Sequence, residues 1–397
     1  MPGEAPGSLS PSDLTPGGLL GRAAEAAAIR RTLDQARLVT VTGLPGVGKT
    51  AVGLQAASAA AGSFADGAVL LRLDALRDEA LLPHTIGAAL RLPDRFTSSR
   101  LDVLVDQLRD RHLLLVLDTC EHLLGACAAV VASLLPPCPK VQVLATSREP
   151  LRVPGEAVVA VRPLPLPDAV ALFGQRAAEA GVEIAPESRA AVASLCVQLD
   201  KLPLAIELAA AELAAAEPAH GQPPAAAVAQ QLAGLLARLE AGDASLGRTS
   251  LGSTSLGGTS LGGTGPRGPG EPGRHQTLRA AIGWSHELCT PTERLLWARL
   301  SVFAGPFGPR DAQDVCATSQ LPDEAVAVGL DLLAERSVLL PEPPAGGAPP
   351  AGPRFVLPAT LRAYGRQMLR RLGQDEEFTA RHQRWQDGRR HRSPAGK

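Results

Sequence analysis

Leu38-Val39-Thr40-Val41-Thr42-Gly43-Leu44-Pro45-Gly46-Val47-Gly48-Lys49-Thr50 is the stretch on which the reading of the chain turns. Its first five residues are apolar or β-branched and predict a buried strand. From Gly43 the pattern becomes Gly-x-x-x-x-Gly-Lys-Thr, and the alanine-rich segment Ala51 to Ala60 predicts a helix. Strand, glycine-rich loop and helix in that order make a phosphate cradle. The strand aims the loop, the glycines let successive N–H groups converge, and the helix N-terminus adds partial positive charge at the same point. In such a cradle Lys49 reaches the β- and γ-phosphates, and the Thr50 hydroxyl takes one position on Mg²⁺. The ligand expected is a nucleoside triphosphate or diphosphate.

The flanking sequence fits that loop. Downstream, His112-Leu113-Leu114-Leu115-Val116-Leu117-Asp118 is an apolar run closing on a carboxylate, which reads as a central parallel strand. Ligands of open α/β sheets bind at the C-terminal ends of strands, so Asp118 is expected to hold Mg²⁺ together with Thr50. Further strands are predicted at 68–73, 141–146 and 158–161, with helices over 78–91 and 99–111. The strand at 141–146 runs into Ser147-Arg148-Glu149-Pro150. A guanidinium at that mouth is placed to pair with the γ-phosphate. Upstream, Leu19-Leu20-Gly21-Arg22 leads into a helix and suits a segment closing over the nucleotide base.

Composition narrows the class. The chain has 397 residues, enough for two or three domains, and 45% are hydrophobic but only 3% aromatic, so aliphatic side chains and alanine must fill the interior. A formal net charge of −1 offers no global attraction to nucleic acid or to an anionic membrane. Cys120, Cys127, Cys138, Cys196, Cys289 and Cys316 are scattered without a Cys-x-x-Cys, which argues for buried thiols rather than a zinc site or disulfide framework. The N-terminus lacks the basic start and apolar core of a signal peptide, and no apolar run approaches the ~20 residues of a membrane span. A cytoplasmic protein is expected.

The domain reading runs as follows: a disordered tail over 1–18, a nucleotide-binding α/β domain over 19–165, a helical domain over 166–240 and a low-complexity linker over 241–273. Helices at 276–288, 291–302, 309–317 and 323–336 come next. They precede strands at 337–340 and 354–357, which bracket a Pro/Gly-rich loop, and a helix over 359–372. This predicts a winged-helix domain over 274–372, with a basic tail at 373–397. Within the helical domain, Pro203 opens a helix at Leu202-Pro203-Leu204-Ala205-Ile206-Glu207.

These motifs as an ordered set resemble the NB-ARC-type signal-transduction ATPases (STAND class) of bacterial AfsR-like and large LuxR-type transcriptional regulators. They are Gly21-Arg22, the loop at 43–50, Leu117-Asp118-Thr119-Cys120-Glu121, Ala145-Thr146-Ser147-Arg148-Glu149-Pro150, Leu202-Pro203-Leu204, Arg274-His275-Gln276-Thr277-Leu278-Arg279 and Leu300-Ser301-Val302-Phe303-Ala304-Gly305. The resemblance implies a P-loop parallel sheet, a small helical domain and a winged helix closing over ADP with Mg²⁺. It implies that Gly43, Gly46, Val47, Gly48, Lys49 and Thr50 bind phosphates, that Asp118 binds the metal and that Arg148 is a sensor arginine. Pro203 is then expected to pack on the base, with Gly21 and Arg22 near adenine and ribose. A protein partner or self-association on activation is expected. Lys201 stands where the family's Gly-Leu-Pro-Leu motif has glycine and Thr119 where many related ATPases have a second carboxylate, and the repeat and DNA-binding domains of larger relatives are not expected within these 397 residues.

Three functions compete. A nucleotide-dependent switch needs the cradle and the metal site, both readable, and tolerates a missing base. Glu121 is the one candidate substitute, and a helix-start role is the simpler reading of it. A competent P-loop enzyme would need an acceptor site, and none is readable. Direct DNA binding through helix 323–336 is not expected, because Asp323, Glu324, Asp331 and Glu335 outnumber Arg336 there and repel phosphates. The stretch 354–397 is basic, with eleven Arg/Lys against four Asp/Glu, 11 − 4 = +7, but it lacks a binding motif. The switch is the reading adopted, at most a slow ATPase.

Overall fold

Leu38–Thr42 forms strand β1 with all five residues buried. In the computed structural model, which describes residues 19–92, 100–215, 225–240, 278–342 and 352–392, the chain divides into two units between Arg162 and Pro163. The sequence reading put that break at 165. The expected tail at 1–18, linker at 241–273 and motif at 274–277 lie outside the described residues.

The first unit is a parallel α/β layer. After α1 (Ala23–Leu33) and β1 come α2 (Lys49–Ala61), β2 (Ala68–Arg72), α3 (Leu82–Ala89), α4 (Arg100–Leu108), β3 (Leu114–Asp118), α5 (Leu124–Leu134), β4 (Gln142–Thr146) and β5 (Glu156–Ala160). The strand order is β2-β3-β4-β1-β5, every pairing parallel. One edge therefore collects all five C-terminal ends: Thr42, Arg72, Asp118, Thr146 and Ala160. β4 lies between β1 and β3, with Thr40 opposite Ala145 and Ala145 opposite Leu117. β3 is buried throughout, as an apolar run without alternation requires. Leu82, Ile86, Leu104, Leu108, Cys127, Val131 and Leu134 of the helices form one core cluster with Leu115, Leu117 and Val143 of the sheet. The helix expected over 78–91 begins instead as a 3-10 turn at Glu79–Leu81, because the Asp78 carboxylate accepts the Ala80 N–H at 3.0 Å and caps it early.

The second unit is helical. It contains α6 (Leu166–Glu179), α7 (Arg189–Gln198), α8 (Pro203–Ala215), α9 (Ala225–Glu240), α10 (Leu278–Glu287), α11 (Pro291–Leu300), α12 (Pro309–Cys316), α13 (Asp323–Glu335), the two-residue strands β6 (Leu340–Pro341) and β7 (Phe355–Val356), α14 (Ala359–Arg371) and α15 (Asp375–Arg392). Its β6 and β7 pair antiparallel. Trp297 of α11 is fully buried and donates its indole N–H to the Leu361 carbonyl at 3.0 Å. Gly365 of α14 lets that ring approach, since a Cβ there would lie 3.0 Å from the indole.

The basic tail expected at 373–397 is corrected by α15, which packs as a helix. Phe378, His382 and Trp385 recur at helical spacing. Phe378 is buried beneath the Arg299 guanidinium, 4.4 Å from its ring centre, and Phe303 meets the His382 and Trp385 rings at 4.9 and 5.3 Å. Net charge dominated the sequence reading and hid this apolar face.

Candidate phosphate-binding site

The loop after β1 turns through left-handed backbone at each of its glycines: φ is 147° at Gly43, 74° at Gly46 and 96° at Gly48. Only glycine enters that region without a steric cost. At Gly43 the packing is also closed, because a Cβ would stand 2.5 Å from the Val161 carbonyl oxygen. Gly48 is the N-cap of α2, so the first N–H groups of that helix open onto the loop. Lys49 folds back over the loop and donates its ammonium to the carbonyls of Gly43 at 2.9 Å and Leu44 at 3.1 Å.

Asp118, at the tip of β3, joins the loop directly. Its Oδ1 accepts the hydroxyls of Thr50 and of Thr146, each at 2.6 Å. The Thr146 hydroxyl also accepts the Thr119 N–H at 2.9 Å. Thr119 itself sits at φ 68°, an outlier for a β-branched residue, and so swings the chain away from β3. Sequence reasoning quoted Thr146 in a motif and gave it no role; a polar residue ending a buried strand was the one signal, and the strand order that sets it beside Asp118 comes from the fold. Burial pushes the Asp118 carboxyl upward, while the Thr146 and Thr50 hydroxyls hold it down. Burial pulls Lys49 down to about 8, with Glu121 opposing, Arg148 adding and Asp118 opposing.

Arg148 and Glu121 meet each other. Arg148 Nε donates to Glu121 Oε1 at 3.2 Å, and both side chains are 8% exposed. Glu121 lies in the turn before α5, which begins only at Leu124, so the helix-start reading of this residue is corrected. The left-handed turn at Thr119 aims it at Arg148 instead. Glu121 Oε2 is buried and accepts no hydrogen bond.

Arg22 is 3% exposed, and its guanidinium is spent within the fold. It donates to the carbonyls of Val47 at 2.8 Å and Arg162 at 2.7 Å, and to Glu25 at 2.6 Å. It therefore braces the back of the loop against the segment after β5, with Gly21 at φ 69° delivering it. Pro203 belongs to the second unit, where it is the first residue of α8. The structure thus brings together Gly43, Gly46, Val47, Gly48, Lys49, Thr50, Asp118, Glu121, Arg148 and Arg22, all in the first unit. Thr50 and Asp118 are oxygen donors in contact, the ligand type of a hard cation such as Mg²⁺.

A scan against protein-family models finds no match. Among curated proteins, Rv0894 of Mycobacterium tuberculosis is 36% identical over 304 residues, 76% of this chain and 69% of its own. Rv0890c of the same organism, by name an HTH-type transcriptional regulator, is 37% identical over 357 residues, 89% of this chain. The chain spans 36% of that regulator's length. Among solved structures, a signal transduction ATPase with numerous domains (STAND), PH0952 from Pyrococcus horikoshii with a tetratricopeptide repeat sensor, is 14% identical. The alignment covers 94% of this chain and 45% of that one, at a TM-score of 0.39. No helix among the described residues is long and apolar enough to cross a membrane.

Proposed function

We propose that this chain, which belongs to the family of Rv0894, is an adenine-nucleotide-binding switch of the NB-ARC type that couples nucleotide state to domain rearrangement in transcriptional regulation. The observation carrying it is the convergence of the Thr50 and Thr146 hydroxyls on Asp118 beside a loop whose lysine is folded onto its own carbonyls. Lys49 needs only to exchange the Gly43 and Leu44 carbonyls for phosphate oxygens to become a ligand for the β- and γ-phosphates. The N–H groups at the start of α2 supply the remaining donors. Thr50 and Asp118 would hold Mg²⁺, which when bound neutralises charge on the phosphate oxygens.

The chemistry around this cradle favours retention over turnover. Thr119 cannot accept a proton from water, and the Glu121 carboxylate is engaged by Arg148. General-base assistance contributes ~10²–10⁴-fold, so hydrolysis is slow while that pair stays closed. A γ-phosphate offers Arg148 a competing anion, which makes the pair the sensor of ATP over ADP. In the second unit, helices ending in the β6–β7 pair support a winged-helix reading. The exposed α13 residues Glu324, Asp331 and Glu335 oppose phosphate contact, so this module couples to protein, a partner or a second copy, rather than reading DNA.

Single-turnover ATP hydrolysis by wild type, Glu121→Gln and Thr119→Asp tests the switch against an enzyme. Slow turnover in wild type, little changed in Glu121→Gln, is expected. Brisk wild-type turnover abolished by Glu121→Gln would make the chain a working ATPase.

A further inference from the structure

The end of α7 closes as a Schellman motif. The Asp200 N–H donates to the Val197 carbonyl at 3.0 Å, and the Lys201 N–H donates to the Cys196 carbonyl at 2.8 Å. The residue just past the cap in this motif is left-handed and usually glycine. Here it is Asp200, at φ 53°, followed by Lys201 at φ 55°. What aspartate offers over glycine at this position is a carboxylate, and the structure uses both of its oxygens.

Asp200 Oδ1 accepts the Ala359 N–H at 2.7 Å. Its Oδ2 accepts the Thr360 N–H at 2.7 Å and the Thr360 hydroxyl at 2.6 Å. These are the first two N–H groups of α14, orphan donors that every helix start must satisfy. α14 cannot cap itself: its N-cap is Pro358, which carries no side-chain acceptor, and its first turn holds no acidic residue. A carboxylate also complements the positive end of the helix dipole. The cap is thus supplied by a residue 159 positions earlier in the chain. Burial raises the Asp200 carboxyl while these donors oppose the rise. On the other side of the same turn, the Lys201 carbonyl accepts the Leu164 N–H at 3.1 Å. Two adjacent residues therefore tie together the entry of the second unit, the end of α7 and the start of α14, just ahead of Pro203.

We propose that Asp200 is a latch, a positioning residue whose carboxylate fastens the segment bearing Pro203 to α14 and whose release passes nucleotide state on to the C-terminal helices. The coupling rests on the nucleotide reading above; the cap itself does not.

Hydrogen exchange on the full chain tests it, with wild type, Asp200→Gly, Asp200→Asn and Thr360→Val compared. Glycine suits φ 53°, so Asp200→Gly keeps the end of α7 and deletes only the carboxylate. Its exchange in the first turn of α14 should rise about tenfold, while α6 and α11 hold wild-type protection. Asp200→Asn retains one acceptor oxygen and should fall between. Thr360→Val loses only the hydroxyl bond and should show the smallest rise. With ADP and then a non-hydrolysable ATP analogue, protection of that turn should differ between the two nucleotides in wild type and not in Asp200→Gly. Unchanged α14 protection in Asp200→Gly, or an equal rise across α6, α11 and α14, overturns the latch. If calorimetry shows ADP binding and wild-type α14 ignores the nucleotide, the latch role falls and the nucleotide reading stands. If ADP does not bind, the nucleotide reading falls and takes the coupling with it.

Discussion

The loop at 43–50 and the turn at 199–203 both bend the chain through left-handed backbone, with opposite residue choices. The loop uses Gly43, Gly46 and Gly48, whereas the turn uses Asp200 and Lys201. In the loop the backbone N–H groups are the binding groups, and a side chain at Gly43 would strike the Val161 carbonyl. In the turn the side chain is the binding group, so the chain tolerates a strained aspartate because its carboxylate caps α14. A left-handed residue is read correctly only when it is known which of its atoms faces the partner.

Gly43→Ala should break the loop side of this comparison most severely. A Cβ at φ 147° against a backbone oxygen cannot be relieved by a rotamer change, so a loss of about 3 kcal/mol in urea unfolding is expected, together with loss of nucleotide binding. Unchanged stability would mean that the loop is free to re-form around a side chain. Arg22→Met comes next. It strips the bonds to the Val47 and Arg162 carbonyls, both inside the fold, and should cost about 2 kcal/mol. ADP affinity should fall with it, because the loop loses its brace; full affinity at reduced stability would separate brace from cradle.

Smaller effects sharpen the turn side. Lys201→Gly relieves φ 55° without touching the Asp200 carboxylate, and should gain up to about 1 kcal/mol in thermal unfolding. A loss would show that the Lys201 side chain holds the turn. Lys49 gives a signal read through pH rather than through a lost contact. Burial keeps its ammonium near 8 against 10.5 in the unfolded chain. Between those values the unfolded chain binds more protons, so the stability of the nucleotide-free protein rises with pH across that window. Below about 8 both states are protonated and this dependence ends. Urea titrations at several pH values should show the rise in wild type and its absence in Lys49→Met.

The sheet was legible because its information is local. A β-branched run before Gly43 and an unbroken apolar run before Asp118 each specify one buried strand, and their order implies a parallel sheet. The partnership of Thr50 with Asp118 followed from the same logic, since Thr50 opens the helix after the β1 loop and Asp118 ends β3 on the same edge of the sheet. Thr146 joined them only through the strand order, which puts β4 between β1 and β3 and cannot be read from spacing. Arg22 looked like a ligand contact because its motif lies near the loop in sequence, yet its guanidinium bonds to carbonyls 25 and 140 residues away. Asp200 was passed over for a similar reason. Its partner helix starts 159 residues later, and an aspartate after a helix looks like an ordinary turn residue. α15 was mistaken for a tail because its charge is visible in composition, while the Phe378–His382–Trp385 face needs a partner surface to have meaning.

Calorimetric titration of wild type and Lys49→Ala with ADP and GDP, side by side in the presence of Mg²⁺, tests the central claim most directly. ADP should bind wild type in preference to GDP. Lys49→Ala should lose most of that affinity, with no fall in melting temperature because the buried ammonium is a cost to the ligand-free fold. Equal affinity in the two proteins, or a preference for GDP, would contradict that claim.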